Sequence, residues 1–260
     1  MSEMTDYRQG TPCWVDLATD DQPAAKDFYR TVFGWDYGDA DVQRDSYTRA
    51  ALRGKTVAGI FVPGRDGVPV VWTTYLATDD ADVTAMAVTE HGGQLLTDVM
   101  DMDGRGRVLI GVDPTGGVFG VWEGPEDGAQ GAELVNEPGA LVWNELMSRD
   151  APAARSFYTA VFGVRHSDPM SEDFDYTTIQ VDGQNVGGIG AIGDTLPADV
   201  PSHWSVYFGV TDTDATVEAV RTAGGKVVGE PHDTPFGRQA VCVDPQGATF
   251  AVISLSAGPS

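Results

Sequence analysis

A tryptophan followed two residues later by a carboxylate occurs twice in this chain, as Trp14 and Asp16 and as Trp143 and Glu145. In an extended strand the side chains alternate with a period of two, so each indole shares a face with its acid. Thr73 with Tyr75, and His203 with Ser205 and Tyr207, form similar same-face sets. A carboxylate or imidazole beside flat aromatic rings can move a proton or hold the polar atom of a planar ligand. Each aromatic taken alone could equally fill a sheet interior, and His203 could be a hydrogen-bonded structural residue. His91, His166 and His232 fall in predicted helix ends or loops and read as solvated. Arg107 and Arg238 follow a glycine at the start of equivalent strands, and either a partnership with the Asp113 and Asp244 turns or anion binding would explain them. No glycine-rich phosphate loop, nucleophile elbow or His-Glu-x-x-His sequence is present.

The elements that must position these residues are repeated. Placing residues 14–34 on residues 143–163, a shift of 129, leaves 11 of 21 positions identical. The match continues through Tyr47/Tyr176, Gly59/Gly188, Trp72/Trp204, Tyr75/Tyr207, the Gly-Gly pairs at 92 and 224, and Asp-Pro at 113 and 244. A duplicated unit follows, with domains at 7–123 and 137–256 tethered by residues 124–136. Gly124 to Glu133 has the Gly, Pro and acidic content of an exposed linker.

Within each half the hydrophobic period changes from two to that of a helix. Asp21 or Asp150 offers an N-cap, Pro23 or Pro152 stands in the first turn, and Gly34 or Gly163 closes the helix. Phe28, Val32 and Phe33, with Phe157, Val161 and Phe162, form the apolar stripe. Strands are predicted at 47–52, 57–62, 72–77, 107–112 and 118–122 and at matching positions in the copy. A second helix covers 81–91 or 213–223, and an Asp-Pro-x-Gly turn joins the last two strands.

The Phe-Tyr and Phe-Gly ending of the first helix, the Gly-Gly after the second and the Asp-Pro-x-Gly hairpin resemble the glyoxalase/bleomycin-resistance/extradiol-dioxygenase superfamily, also called vicinal oxygen chelate proteins. The likeness runs from about Thr11 to Ser254 and is greatest to two-domain actinobacterial members. It implies an α+β fold of tandem glyoxalase-like domains, each made of two βαβββ modules curling a mixed sheet around a cavity. In metal-dependent relatives His, Gln or Glu project inward from set strand positions. Motif by motif these positions become Trp14, Thr73 and Gly120, and in the copy Trp143, Ser205 and Ala251. The other ligand strand, 57–62 or 186–192, lacks His, Asp and Glu.

On that alignment Trp14, Asp16, Tyr75 and Trp122 face the first cavity, and Trp143, Glu145, His203, Ser205 and Tyr207 the second. No metal and no cofactor is therefore expected, although an off-position site from Asp16, Glu145 or His203 stays open. The expected function is binding of a small planar or hydrophobic metabolite, as in bleomycin-resistance-like relatives. The alternative is a metal-independent oxygenase, hydroxylase, lyase or isomerase for an aromatic or ketone, with Asp16, Glu145 or His203 moving the proton.

Charge limits the partners. Asp and Glu number 39 against 16 Lys and Arg, for a net charge of -23. Such a surface repels nucleic acid and anionic membranes, which leaves a small-molecule ligand or substrate; oligomeric state is open. Cys13 and Cys242 stand far apart and outside any zinc-like spacing, so neither a disulfide framework nor a structural zinc is expected. With no basic and apolar leader and no long apolar run, the expected location is cytoplasmic.

Overall fold

The computed structural model describes residues 3–38, 47–64, 67–125, 130–170, 175–193, 197 and 199–255. Positions 126–129 of the connecting segment and position 256 at the end of the second domain lie outside these. The first half runs β1 (Pro12–Ala18), α1 (Gln22–Phe33), β2 (Asp36–Tyr37), β3 (Tyr47–Leu52), β4 (Lys55–Phe61), β5 (Val71–Ala77), α2 (Ala81–Glu90), β6 (Gln94–Leu95), β7 (Met100–Asp101), β8 (Arg107–Val112) and β9 (Val118–Glu123). The second runs β10 (Leu141–Ser148), α3 (Ala151–Phe162), β11 (Arg165–His166), β12 (Tyr176–Val181), β13 (Gln184–Ala191), β14 (His203–Gly209), α4 (Thr213–Thr222), β15 (Lys226–Thr234), β16 (Gly237–Val243) and β17 (Thr249–Leu255). Among the described residues no helix is long and apolar enough to cross a membrane.

Each half forms one mixed sheet, ordered β2-β3-β4-β1-β5-β9-β8-β6 in the first, with β7 also on β8, and β11-β12-β13-β10-β14-β17-β16-β15 in the second. Two βαβββ modules meet at an antiparallel seam, β1 on β5 or β10 on β14. Parallel pairs flank that seam, β1 with β4 and β5 with β9, and their counterparts repeat the pattern. The α+β tandem glyoxalase-like architecture is thus as the sequence implies.

The helix caps follow the chemistry of the sequence. Asp21 and Asp150 accept from the amides of Ala24 and Ala153, and Gly34 and Gly163 close their helices at a left-handed φ of 72°. Only glycine takes that conformation without steric cost. Several edge elements lie outside the predicted strands: β2, β6, β7 and β11 are two residues long, and β15 carries Gly229, Glu230, Pro231 and Asp233. An edge strand with little apolar face has no alternation to read.

The two larger cores are each built from both halves. In one, Phe28, Tyr29 and Phe33 of α1, backed by Trp35 and Trp72, pack on Phe208, Val217, Val220, Phe250 and Val252 of the second half. In the other, Phe157, Tyr158 and Phe162 of α3 pack on Val88, Leu109, Phe119 and Val121 of the first. Gly93 and Gly225, after α2 and α4, let these rings approach; a Cβ at Gly93 would stand 2.9 Å from the Phe157 ring. The stripe read from the sequence omitted Tyr29 and Tyr158, both buried. Tyr29 donates to Asp244 Oδ2 at 3.0 Å and accepts from Trp72 Nε1, and Tyr158 donates to Asp113 Oδ2 at 3.0 Å and accepts from Trp204 Nε1. The same aspartates cap their own hairpins, Asp113 through the amides of Thr115 and Gly117 and Asp244 through those of Gln246, Gly247 and Ala248. A carboxylate only 3% exposed is tolerable because donors surround it.

This arrangement corrects the reading of Arg107 and Arg238. Neither reaches the Asp113 or Asp244 turn. Arg107 pairs with Asp82 at 2.7 Å and Glu123 at 3.3 Å, and Arg238 pairs with Asp214 and Asp233. Two of those partners, Asp82 and Asp214, stand in the first turn of α2 and α4, where negative charge also suits the helix dipole. His166 and His232 likewise stand on strands rather than in loops; His166 is half-buried in β11, with Nε2 3.2 Å from the Arg155 carbonyl.

Candidate functional site

The curved face of the first sheet encloses a cavity of about 130 Å³ lined by Trp14, Asp16, Tyr47, Arg49, Thr56, Tyr75, Met102, Arg105, Val108, Trp122 and Gly131. Trp14 and Asp16 come from β1, Tyr75 from β5 and Trp122 from β9, so the four first-half residues singled out in the sequence converge. Register accounts for this: Trp14 lies opposite Tyr75, Asp16 opposite Thr73 on one side and Gly59 on the other, and Tyr75 opposite Gly120. The connecting segment closes one side. Gly131 is in the wall, the Ala132 amide bonds to the Cys13 carbonyl, and Tyr7 donates to the Ala132 carbonyl at 2.6 Å. Ala132 and Leu134 are buried, so the described end of the connecting segment packs against the first half where its composition suggested an exposed tether.

A directed chain of hydrogen bonds crosses the cavity wall. Trp14 Nε1 donates to Tyr47 Oη at 2.9 Å, and Tyr47 and Tyr75 donate to Asp16 Oδ2 at 3.4 Å and 3.1 Å. An indole N–H can only donate, which fixes the Tyr47 proton toward the acid. Asp16 is 4% exposed, and its second oxygen, Oδ1, has no hydrogen-bond partner; the buried Trp122 Nε1 also lacks one. Burial pushes the Asp16 carboxyl up to about 7, offset in part by the Tyr75 and Tyr47 hydroxyls. Burial, then the Asp16 charge, raises both phenols well above their usual range, so they act as neutral donors. Asp16 is therefore the group here able to take or give a proton near neutral pH.

The second half repeats the motif with one methylene added. Trp143 Nε1 donates to Tyr176 Oη at 2.9 Å; Tyr176 donates to Glu145 Oε2 at 3.0 Å, and Tyr207 to Glu145 Oε1 at 2.6 Å. Both oxygens of Glu145 are matched. Burial raises its pKa, while Tyr207, Tyr176 and the nearby His203 pull it back. Ser205 stands across the ladder from Glu145, but the acid's bonds go to the two phenols. His203 is half-exposed at the strand end, its Nδ1 2.8 Å from the Pro201 carbonyl; since a carbonyl can only accept, Nδ1 carries the proton.

The donors in the first cavity do not fit a divalent cation, which needs several N, O or S ligands converging at controlled geometry. Asp16 Oδ2 already accepts two phenols, and Tyr47 and Tyr75 occupy the space a ligand side chain would need. A Cβ at Gly59 would stand 2.1 Å from the Tyr47 hydroxyl, and one at Gly120 2.2 Å from the Tyr75 ring. Among the described residues no group of three or more His, Cys, Asp or Glu gathers anywhere.

Tyr47, Arg49 and Arg105 were not among the residues singled out by chemistry. Tyr47 carried a signal, its match to Tyr176 in the repeat, and Arg49 follows it at the strand period of two. Arg105 comes from the turn between β7 and β8, where no periodicity points.

The family model described as Glyoxalase/Bleomycin resistance protein/Dioxygenase superfamily matches residues 13–121 and again 130–252. CFP32 of Mycobacterium tuberculosis is 43% identical over 260 residues, 97% of this chain and 98% of that protein. The anthracycline biosynthesis protein DnrV of Streptomyces peucetius is 37% identical, covering 98% and 97%. Among solved structures, the Mn(II)-bound glyoxalase from Novosphingobium aromaticivorans superposes with a TM-score of 0.65 at 19% identity over 98% of this chain and 83% of that one. A catechol 2,3-dioxygenase gives 0.63 at 13% identity over 98% and 92%. These two likenesses establish the fold rather than a shared reaction. With the duplicated sheets, the paired helices and two family matches that span nearly the whole chain, this protein belongs to the glyoxalase/bleomycin-resistance/dioxygenase superfamily.

Proposed function

We propose that the first-half cavity binds a small planar, largely hydrophobic metabolite without a resident metal ion. The observation that carries this reading is the wall itself: Trp14, Tyr47, Tyr75 and Trp122 surround one buried carboxyl with an unmatched oxygen. Flat rings gain most from aromatic walls, and a few fixed polar groups orient them. A relative named for the biosynthesis of anthracyclines, which are planar fused-ring compounds, supports a ligand of that shape. The phenols standing at Gly59 and Gly120 support the metal-free part of the reading. Titration of intrinsic tryptophan fluorescence with planar hydroxylated aromatic ketones tests it. Saturable quenching that Trp14→Leu shifts to markedly higher ligand concentration is expected; quenching unaffected by Trp14→Leu, or full-equivalent metal in the purified protein by elemental analysis, would overturn it.

One observation favours a second reading, proton transfer on an enolisable ketone. Asp16 combines a pKa of about 7 with an oxygen free of hydrogen bonds, as a general acid or base requires. Proton NMR of protein with candidate ketones separates the two: turnover or deuterium exchange at the carbon beside the carbonyl creates new signals, whereas binding only shifts or broadens existing ones.

A further inference from the structure

Arg49 is a charge in the wall of the first cavity. Several other arginines are paired: Arg107 with Asp82 at 2.7 Å, Arg155 with Asp175 at 2.9 Å, Arg238 with Asp214 at 2.7 Å. Pairing is unsurprising in a chain with a net charge of -23. Arg49, half-buried in the cavity wall, makes no ion pair or hydrogen bond among the described residues. Glu133, whose carboxylate feels the Arg49 charge, spends its Oε2 on the Thr56 amide and hydroxyl at 2.9 and 2.8 Å. Arg49 faces Gly59 across the β3/β4 ladder and follows Tyr47 by two residues, which puts it on the ring-bearing face beside Asp16. Arg105 enters the same wall from the loop before β8.

The second half lacks this charge. At the repeat positions Arg49 becomes Thr178, and Arg105 becomes the exposed Phe236. The cationic wall is thus a property of one half and not of the fold. A guanidinium beside aromatic faces and a largely desolvated cavity is the setting in which a carboxylate gains most, because the fork matches both oxygens and little water remains to compete.

We propose that the ligand of the first cavity is a planar aromatic acid whose carboxylate docks on Arg49 while its rings lie against Trp14 and Trp122. This rests on the aromatic-cavity reading above and adds the charge of the ligand. The overall negative field would repel an anion in bulk solution, so the local guanidinium supplies the selectivity for it.

The test compares two probes of one shape, 2-naphthoate and 2-naphthamide, by fluorescence titration of the full chain. 2-Naphthoate is expected to bind about tenfold tighter or more than 2-naphthamide. Arg49→Gln should erase the preference, Arg49→Lys should keep part of it, and Thr178→Val should leave it unchanged. Thermal melts accompany each variant; should Arg49→Gln fail to fold, the Lys variant and the wild-type preference between the two probes still decide. Equal binding of both probes in a Trp14-dependent way would sink the anion inference and leave the aromatic cavity standing. Binding of neither, or binding indifferent to Trp14→Leu, would overturn both.

Discussion

The two halves hold a carboxylate at the same place and treat it differently. In the second half Glu145 is long enough to give each of its oxygens to a separate phenol, and the site is internally satisfied. In the first, the shorter Asp16 brings both phenols to one oxygen and leaves the other unmatched, beneath a cavity that also carries Arg49 and an unmatched indole at Trp122. One methylene thus separates a carboxylate with both oxygens matched from one with an oxygen left over. The duplicated scaffold is the same in both halves, and unmatched buried polar atoms of this kind are commonly found at functional sites.

The comparison breaks most easily at Asp16. Its folded pKa of about 7 lies above the ordinary 3.8, so the folded state holds a proton that the unfolded state has released. The stability this group contributes is full below the unfolded value and is lost as pH rises toward about 7, a swing of up to roughly 4 kcal/mol. Asp16→Asn, which cannot ionise, should therefore stabilise the protein by about 1 to 3 kcal/mol at about pH 8 and change little at about pH 4. Urea unfolding at the two pH values checks this; a loss of stability at the higher pH would contradict it.

Next in size is the indole pair. Trp14→Leu should weaken binding of a planar acid by roughly ten- to a hundredfold, with a stability loss below about 3 kcal/mol. Trp143→Leu should leave that affinity unchanged. Equal losses from both would erase the distinction between the halves.

A subtler effect concerns pH and binding. Asp16 faces Tyr47 and Arg49 from β3, Tyr75 from β5, and Arg105 and Trp122 around the same cavity. When it ionises, its negative charge repels an incoming carboxylate in the same cavity. The affinity for 2-naphthoate should fall severalfold between about pH 6 and about pH 8, and Asp16→Asn should flatten the profile. A flat wild-type profile would show that Asp16 and the ligand do not interact.

The smallest difference tests the hydrogen-bond ledger itself. Each of Tyr176→Phe and Tyr47→Phe strips the acceptor from its indole, Trp143 Nε1 or Trp14 Nε1, but only Tyr176→Phe leaves a carboxylate oxygen, Glu145 Oε2, with no phenol, since Asp16 Oδ2 keeps Tyr75. The former should cost about 1 kcal/mol more in chemical denaturation. The reverse order would mean that Glu145 is not the better-satisfied acid.

How much of this was legible in the sequence follows from what each feature depends on. The duplication, the Asp caps and the closing glycines are local patterns, and they read directly. So did the same-face placement of Trp14 with Asp16 and of Trp143 with Glu145, since strand period needs no tertiary information. Partner choice was hidden. Tyr47 reaches Asp16 across 31 residues through the β1/β4/β3 order, and Tyr29 reaches Asp244 across 215, in the opposite half. A polar tip beside a helix's apolar stripe carries no sign that it will be buried against another domain's turn. β15 was invisible for a related reason, since an edge strand interrupted by Gly229 and Pro231 has no hydrophobic alternation.

The most direct test of an active first half and a satisfied second half uses the six tryptophans as separate reporters. In a 1H–15N correlation spectrum each indole N–H gives its own signal, assigned by single Trp→Phe variants. Addition of 2-naphthoate is expected to shift the Trp14 and Trp122 signals progressively and to leave Trp35, Trp72, Trp143 and Trp204 in place. Movement of Trp143 in place of Trp14, or equal movement of both, would contradict the account.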